Sequence, residues 1–214
     1  APTSRRMIEQ QEAETLVDVA TAAVIGCVDA VAFLALGGFF AATSGANVVR
    51  LAAGLSNNWY DARLAAVLLA ALVGGVVLAA FGHRRWGSAG QATTYVLACG
   101  LLLIDALFGR IAHEFSLVPL AFAAGVLAAL PSAGGHAGPA ISARLIDVGK
   151  SIADWMSGHG DGQRLFVPLV LLAAFLGGAM IGIGLYARFT LYALLAPAAV
   201  CALLAGWFWP RRVL

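Results

Sequence analysis

Asp29 lies inside a long apolar run, with Cys27 and Val28 before it and Ala30, Val31 and Ala32 after it. A carboxylate at the bilayer centre costs about 2.5–3.5 kcal/mol on insertion scales. Such a group faces the protein interior, carries a proton or has a partner. Two chemistries fit. Asp29 is a proton or cation site, or it anchors a polar segment downstream through Asn47 or Arg50. A second polar segment carries Arg144 and Asp147. Together Asp29, Asn47, Arg50, Arg144 and Asp147 are the candidates for a polar cavity or a structural anchor.

The other ionisable groups read more plainly. Asp105 is late in an apolar run, five residues before Arg110, and is expected to reach the membrane interface. Asp18, at the start of the first run, meets headgroups or water. His113 and Glu114 belong to a short polar loop, which reads as solvated rather than as a metal site. His136 lies between Pro131 and Pro139 in a Gly/Ala-rich stretch. That stretch reads as a flexible turn, with a cavity-facing broken helix as the alternative.

Catalytic signatures are missing. There is no Gly-x-Ser-x-Gly, no His-Glu-x-x-His, no phosphate loop and no Cys-x-x-Cys. Cys27, Cys99 and Cys201 each fall in an apolar run without metal-ligand spacing, and read as small packing residues. The expectation is a protein that is not an enzyme and holds no cofactor or metal.

Composition sets the class. Of 214 residues, 61% are hydrophobic and 11% charged, against about 25% charged in a soluble domain. A net charge of +2 gives no reason to expect nucleic acid as a partner. The lipid bilayer is the expected neighbour. Arg5-Arg6 is followed by Glu9, Glu12 and Glu14 rather than by an apolar stretch, so the N-terminus does not read as a signal peptide.

Six apolar runs, roughly 16–38, 64–83, 92–109, 116–134, 166–187 and 189–209, each approach the roughly 20 residues a membrane helix needs. Trp59-Tyr60, Trp86, Trp155, Trp207 and Trp209 fall near their ends, as an interfacial aromatic belt would. With six spans, the N-terminal side of the membrane holds Arg5, Arg6, Arg84, Arg85, Arg144, Lys150, Arg164, Arg211 and Arg212. The other side holds Arg50, Arg63, Arg110 and Arg188. This excess predicts a membrane protein with both termini cytoplasmic.

The order of elements repeats. Leu68–Gly75 reads Leu-Leu-Ala-Ala-Leu-Val-Gly-Gly, and Leu171–Gly178 reads Leu-Leu-Ala-Ala-Phe-Leu-Gly-Gly. A shift of 97 residues puts Gly37-Gly38 on Gly134-Gly135, and the shift grows to 103 at the Leu-Leu-Ala-Ala block. The extra residues fit the loop Ser157–Gly162. Each half is one span, a short polar segment (41–58 or 139–157) and two more spans. Three spans per half make the halves inverted across the membrane. The expected fold is an all-α membrane protein of six transmembrane helices in two inverted three-span repeats, each with a short interfacial or re-entrant helix. The parts are a cytoplasmic tail (1–15), the first repeat (16–112), the second repeat (113–209) and a cytoplasmic tail (210–214).

The second polar segment has helical periodicity. Ile141, Leu145, Val148, Ile152 and Trp155 share one face; Arg144, Asp147, Lys150, Ser151 and Asp154 share the other. Lys150 and Asp154 have the spacing of a helical ion pair. An interfacial helix is the first reading, a cavity-lining re-entrant element the second. The first segment, with Ser44, Asn47 and Arg50, is less amphipathic and can dip into the bundle. Backbone at that depth must be covered by protein or water.

The stretch Gly26-Cys27-Val28-Asp29-Ala30, then Phe33-Leu34, Gly37-Gly38-Phe39 and Ser44-Gly45-Ala46-Asn47, resembles the YoaK-type bacterial membrane proteins, a family defined by a domain of unknown function. The resemblance covers about residues 20–210 and implies a fold and a location more than an activity. The family's Thr-Gly-Asn signature is altered here to Ser44-Gly45-Ala46-Asn47. Its second-half Asn has no counterpart in Gly125–Ala129, and Ser142-Ala143-Arg144 stands where a Thr-Gly-Thr-like motif is expected.

Two functions remain open from the sequence. One is a small-solute or proton-coupled transporter with its site near Asp29 and the two polar segments. The other is a non-transporting accessory or scaffold subunit of a larger membrane complex, with other membrane subunits or further copies of itself as partners.

Overall fold

The computed structural model describes residues 2–109, 118–130, 141–157 and 162–209. Among the described residues the chain is helical, with no strand. Its elements are α1 (Pro2–Ala35), α2 (Ser44–Asn57), α3 (Trp59–Trp86), α4 (Ser88–Phe108), α5 (Val118–Ala128), α6 (Ile141–Met156), α7 (Gly162–Phe189), a 3-10 helix (Thr190–Leu194) and α8 (Leu195–Phe208).

Four helical stretches are long and apolar enough to cross a membrane: Glu12–Ala35, Trp59–Trp86, Ala89–Phe108 and Phe166–Phe208. Val118–Ala128 is a shorter apolar helix. It is the described part of the expected span at 116–134. The Pro131–Pro139 stretch with His136, and the loop with Arg110, His113 and Glu114, lie outside the described residues, as does most of the Ser157–Gly162 insertion. The last apolar stretch is not split at Arg188. Helix α7 runs on to Phe189, and the break comes at Thr190, a β-branched residue held at φ +52°.

Small residues set the helix contacts. A Cβ built on Gly26 in α1 would overlap the Phe175 carbonyl of α7, and one on Gly178 in α7 would overlap the Ala23 carbonyl of α1. Gly182 likewise rests on Cys27, one turn further along both helices, so α1 and α7 run parallel. Helices α3 and α5 meet in the same way, Gly75 on the Phe122 carbonyl and Gly125 on the Leu72 carbonyl. Backbones this close leave no room for side chains, and lipid-embedded helices gain their contact area by such approach.

Helix α4 packs on α8. Leu191 lies against Gly109 at the C-terminal end of α4. Phe208 stacks on Tyr95 in the N-terminal half, with ring centroids 5.8 Å apart. Helix α8 therefore runs antiparallel to α4. Helices α3 and α4 are joined by Gly87, at φ +57°, and also run antiparallel, with Gly90 pressed on Gly82. The core between them is apolar: Ile25, Val28, Val31, Leu68, Leu102, Leu120, Val126 and Leu194 are all buried.

Tyr95 ties α1 to this core. Its hydroxyl is 2.9 Å from the Thr21 hydroxyl, and the Thr21 hydroxyl donates to the Val17 carbonyl at 2.8 Å. The single Thr21 proton is thus committed, so Tyr95 is the donor between them.

The two polar segments form helices α2 and α6. Helix α6 packs against α7 and turns its apolar side outward, with Leu145, Ile146, Ile152 and Met156 exposed. That is the arrangement of a helix whose apolar face meets lipid. Lys150 and Asp154 are both exposed. Helix α2 packs against α3, with Gly54 against Ala62, and exposes Val48, Val49 and Leu55.

Candidate functional site

The loop from Gly37 to Thr43 is where the polar groups of the first half converge. Helix α1 stops because Gly37 and Gly38 adopt φ +62° and +97°, conformations that other residues rarely take. The Gly38 N–H donates to the Phe33 carbonyl at 2.7 Å, closing the helix with the six-to-one bond of a Schellman motif. The chain then passes through Phe39–Thr43 without regular structure before α2 begins at Ser44.

Asp29 holds this loop from the α1 side. Its carboxylate is 2% exposed. One oxygen accepts the Ala42 N–H at 2.5 Å and the other accepts the Thr43 hydroxyl at 2.5 Å. A backbone amide and a hydroxyl from successive residues thus hold the two carboxylate oxygens. Thr43 stands just before α2, where a threonine usually caps the helix, yet its side chain makes no cap bond. Its hydroxyl proton goes to Asp29 instead.

Asn47 holds the same loop from the α2 side. It is 1% exposed. Its amide nitrogen donates to the Phe40 carbonyl at 2.6 Å, and its amide oxygen accepts the Phe40 N–H at 3.1 Å. An asparagine side chain thus pairs with one residue's backbone as a neighbouring strand would. Arg50, one turn further, lays its guanidinium over the Phe39 ring, 4.4 Å from the centroid, and lies beside Gly38. A guanidinium over an aromatic face is attracted by the ring quadrupole. Phe33 and Phe40 pack with centroids 5.0 Å apart and close the apolar side.

The structure therefore brings Asp29, Asn47 and Arg50 to one loop, though not to each other as the sequence suggested. Asp29 binds Ala42 and Thr43, not Asn47 or Arg50. Arg144 and Asp147 belong to α6, and their side chains lie outside the described residues. The residues that sequence reasoning missed are Thr43, Phe39 and Phe40. Thr43 had a signal, as a hydroxyl 14 residues from a buried acid. The Phe40 and Ala42 backbone groups had none, because every residue but proline carries them.

Asp105 departs from its expectation. It is buried in the protein, 1% exposed, and neither carboxyl oxygen has a hydrogen-bond partner among the described residues. The helix turns it inward, and the 3-10 helix packs over that end of α4, with Leu191 against Gly109. Cys27 and Cys201 are buried and Cys99 is half-buried, all as free thiols.

The fold and this geometry can be set beside known proteins. The family model described as "Protein of unknown function (DUF1275)" matches residues 18–207. No curated protein and no solved structure matches the chain.

Proposed function

The chain belongs to the DUF1275 family, and from that premise we propose that this membrane protein is a small secondary transporter, with two inverted three-span halves in the bacterial inner membrane and both termini cytoplasmic. The observation that carries the reading is the matched pair of helix contacts. Gly26 on Phe175 has its counterpart in Gly125 on Leu72, and Gly178 on Ala23 has its counterpart in Gly75 on Phe122. The positions are related by 99 residues (Ala23 to Phe122, Gly26 to Gly125) and by 103 residues (Leu72 to Phe175, Gly75 to Gly178). Two halves that exchange partners in this reciprocal way support a pseudo-two-fold axis, the architecture on which many secondary transporters operate.

The interrupted helix adds support. Helix α1, the loop at 37–43 and helix α2 make a broken element whose irregular backbone is covered by protein side chains. Transporter sites form at such breaks. The substrate path of this reading runs along the Gly37–Thr43 loop, between the halves, with Arg50 and Asn47 on its α2 side.

Reconstitution into liposomes tests the proposal. Solute-driven uptake or proton flux, seen with protein and lost when Gly38→Val or Asn47→Leu distorts the loop, is the expected result. Liposomes that pass neither protons nor any candidate solute remove it.

One observation favours the second reading, an accessory or scaffold subunit. The hydrogen-bond capacity of Asp29 is spent on the loop, as a structural anchor requires. That reading expects a stable complex with another membrane protein on purification in mild detergent, where a transporter is expected alone or as a homo-oligomer.

A further inference from the structure

Asp29 and Asp105 are the two buried carboxylates among the described residues, and they are opposites. Asp29 is held by two donors. Asp105 has none: both oxygens are shut off from solvent and have no hydrogen-bond partner among the described residues. A charge in that position would be uncompensated. Removing an ionised carboxylate from water without a partner is costly enough that the group binds a cation or a proton instead.

The surroundings decide which. Helices α3, α5 and α8 and the 3-10 helix all pack on α4. Helix α5 (Val118–Ala128) brings no titratable side chain, and α8 (Leu195–Phe208) brings only Cys201. The 3-10 helix brings Tyr192, which is 43% exposed. Helix α3 brings Asp61 and Arg63 at the end nearest Asp105, and His83, Arg84 and Arg85 at the far end. Arg63 is exposed. Tyr95 and Cys99 share α4 itself. No group of three or more His, Cys, Asp or Glu that could hold a metal ion occurs among the described residues. A metal cation needs several oxygen ligands. A proton needs one.

We propose that Asp105 is an exchangeable proton-binding site, neutral in the resting protein and covered by the 3-10 helix at Thr190–Leu194. The proton comes from water at the membrane surface and returns to it; only the carboxyl O–H bond forms and breaks. The route is short. Asp105 is three residues from the end of α4 at Phe108, about 4.5 Å of helix rise. The site itself stands on this local geometry, while its part in proton-coupled transport rests on the reading proposed above.

Infrared spectroscopy of the purified protein tests it. At neutral pH the wild type is expected to show the carbonyl band of a protonated carboxylic acid, shifted in D2O. Asp29→Asn keeps that band, Asp105→Asn deletes it, and Asp105→Glu, which keeps an acid, moves it. Asp105→Asn also mimics the neutral acid in shape, so it is expected to fold and melt as the wild type does. A wild type without the band overturns the proposal, as does a band that prolonged equilibration in D2O leaves unshifted. The band together with liposomes that pass no solute removes transport and leaves the proton site standing. Transport without the band does the reverse.

Discussion

The Thr43 hydroxyl donates to the Asp29 carboxylate at 2.5 Å, across a loop that separates the two residues by 14 positions. This bond and the Ala42 amide at 2.5 Å turn the buried acid of α1 into the post around which the chain bends before α2. The post and the bend are one unit. Asp29→Ala leaves a half-buried amide and a half-buried hydroxyl without their acceptor, at no more than about 1–3 kcal/mol for each such group. Thr43→Val removes one donor only and costs less. A double-mutant cycle on the two positions, read by thermal unfolding in detergent, is expected to give a favourable coupling. Additive effects would separate the two residues.

The glycine contacts predict a paired response. Gly75→Ala and Gly178→Ala each drive a methyl into a backbone carbonyl of the facing helix, and overpacking of this kind costs about 1–3 kcal/mol. Gly177→Ala meets nothing within 4 Å and gains helix propensity, up to about 1 kcal/mol. Melting temperature in one detergent is the measurement. A loss at Gly178 with none at Gly75 would count against equivalent halves.

Thr190 is strained. A β-branched residue at φ +52° is disfavoured, and left-handed backbone costs about 1–2 kcal/mol for an L-residue. Thr190→Gly is expected to raise stability by up to that amount, less the extra entropy of glycine in the unfolded chain. A lower melting temperature would show that the Thr190 side chain holds the turn.

Tyr95→Phe removes the hydroxyl that donates to Thr21 and keeps the ring on Phe208. Thr21 still donates to the Val17 carbonyl, so no proton is stranded and the expected loss is about 0.5–1.5 kcal/mol. Tyr95→Leu loses the stack as well and is expected to cost more. The rate at which a thiol reagent reaches buried Cys201, on the helix that carries Phe208, reports the loosening.

Much of this was legible in the sequence, for physical reasons that also mark the limit. Asp29 stood out because a carboxylate between valines and alanines must have an interior explanation. One of its two partners did not, because it is a backbone amide. The Leu-Leu-Ala-Ala-x-x-Gly-Gly blocks pointed to close packing, and both glycine pairs include residues that touch a facing carbonyl. Asp105 faces inward, against the expectation, because position along a helix gives depth, whereas facing depends on which neighbours pack there, and α3, α5, α8 and the 3-10 helix all pack on α4. The break after α7 was placed two residues early, at the charged Arg188 rather than at Thr190, since strain at φ leaves no mark in composition.

The loop anchor also bears on how the chain is made. Helix α1 finds its main partner in α7, and Ala23 touches Gly178 across 155 positions of sequence. At about 5–20 residues per second of synthesis, α1 waits on the order of ten to thirty seconds for α7 to emerge. An acid committed to that late partner would spend the interval naked in lipid or at the insertion machinery. Asp29 has no such wait. Its donors follow 13 and 14 residues behind it, so at the same rate they are made within about one to three seconds. The short-range bend works as an internal chaperone for the acid, whose partners do not depend on the arrival of α7.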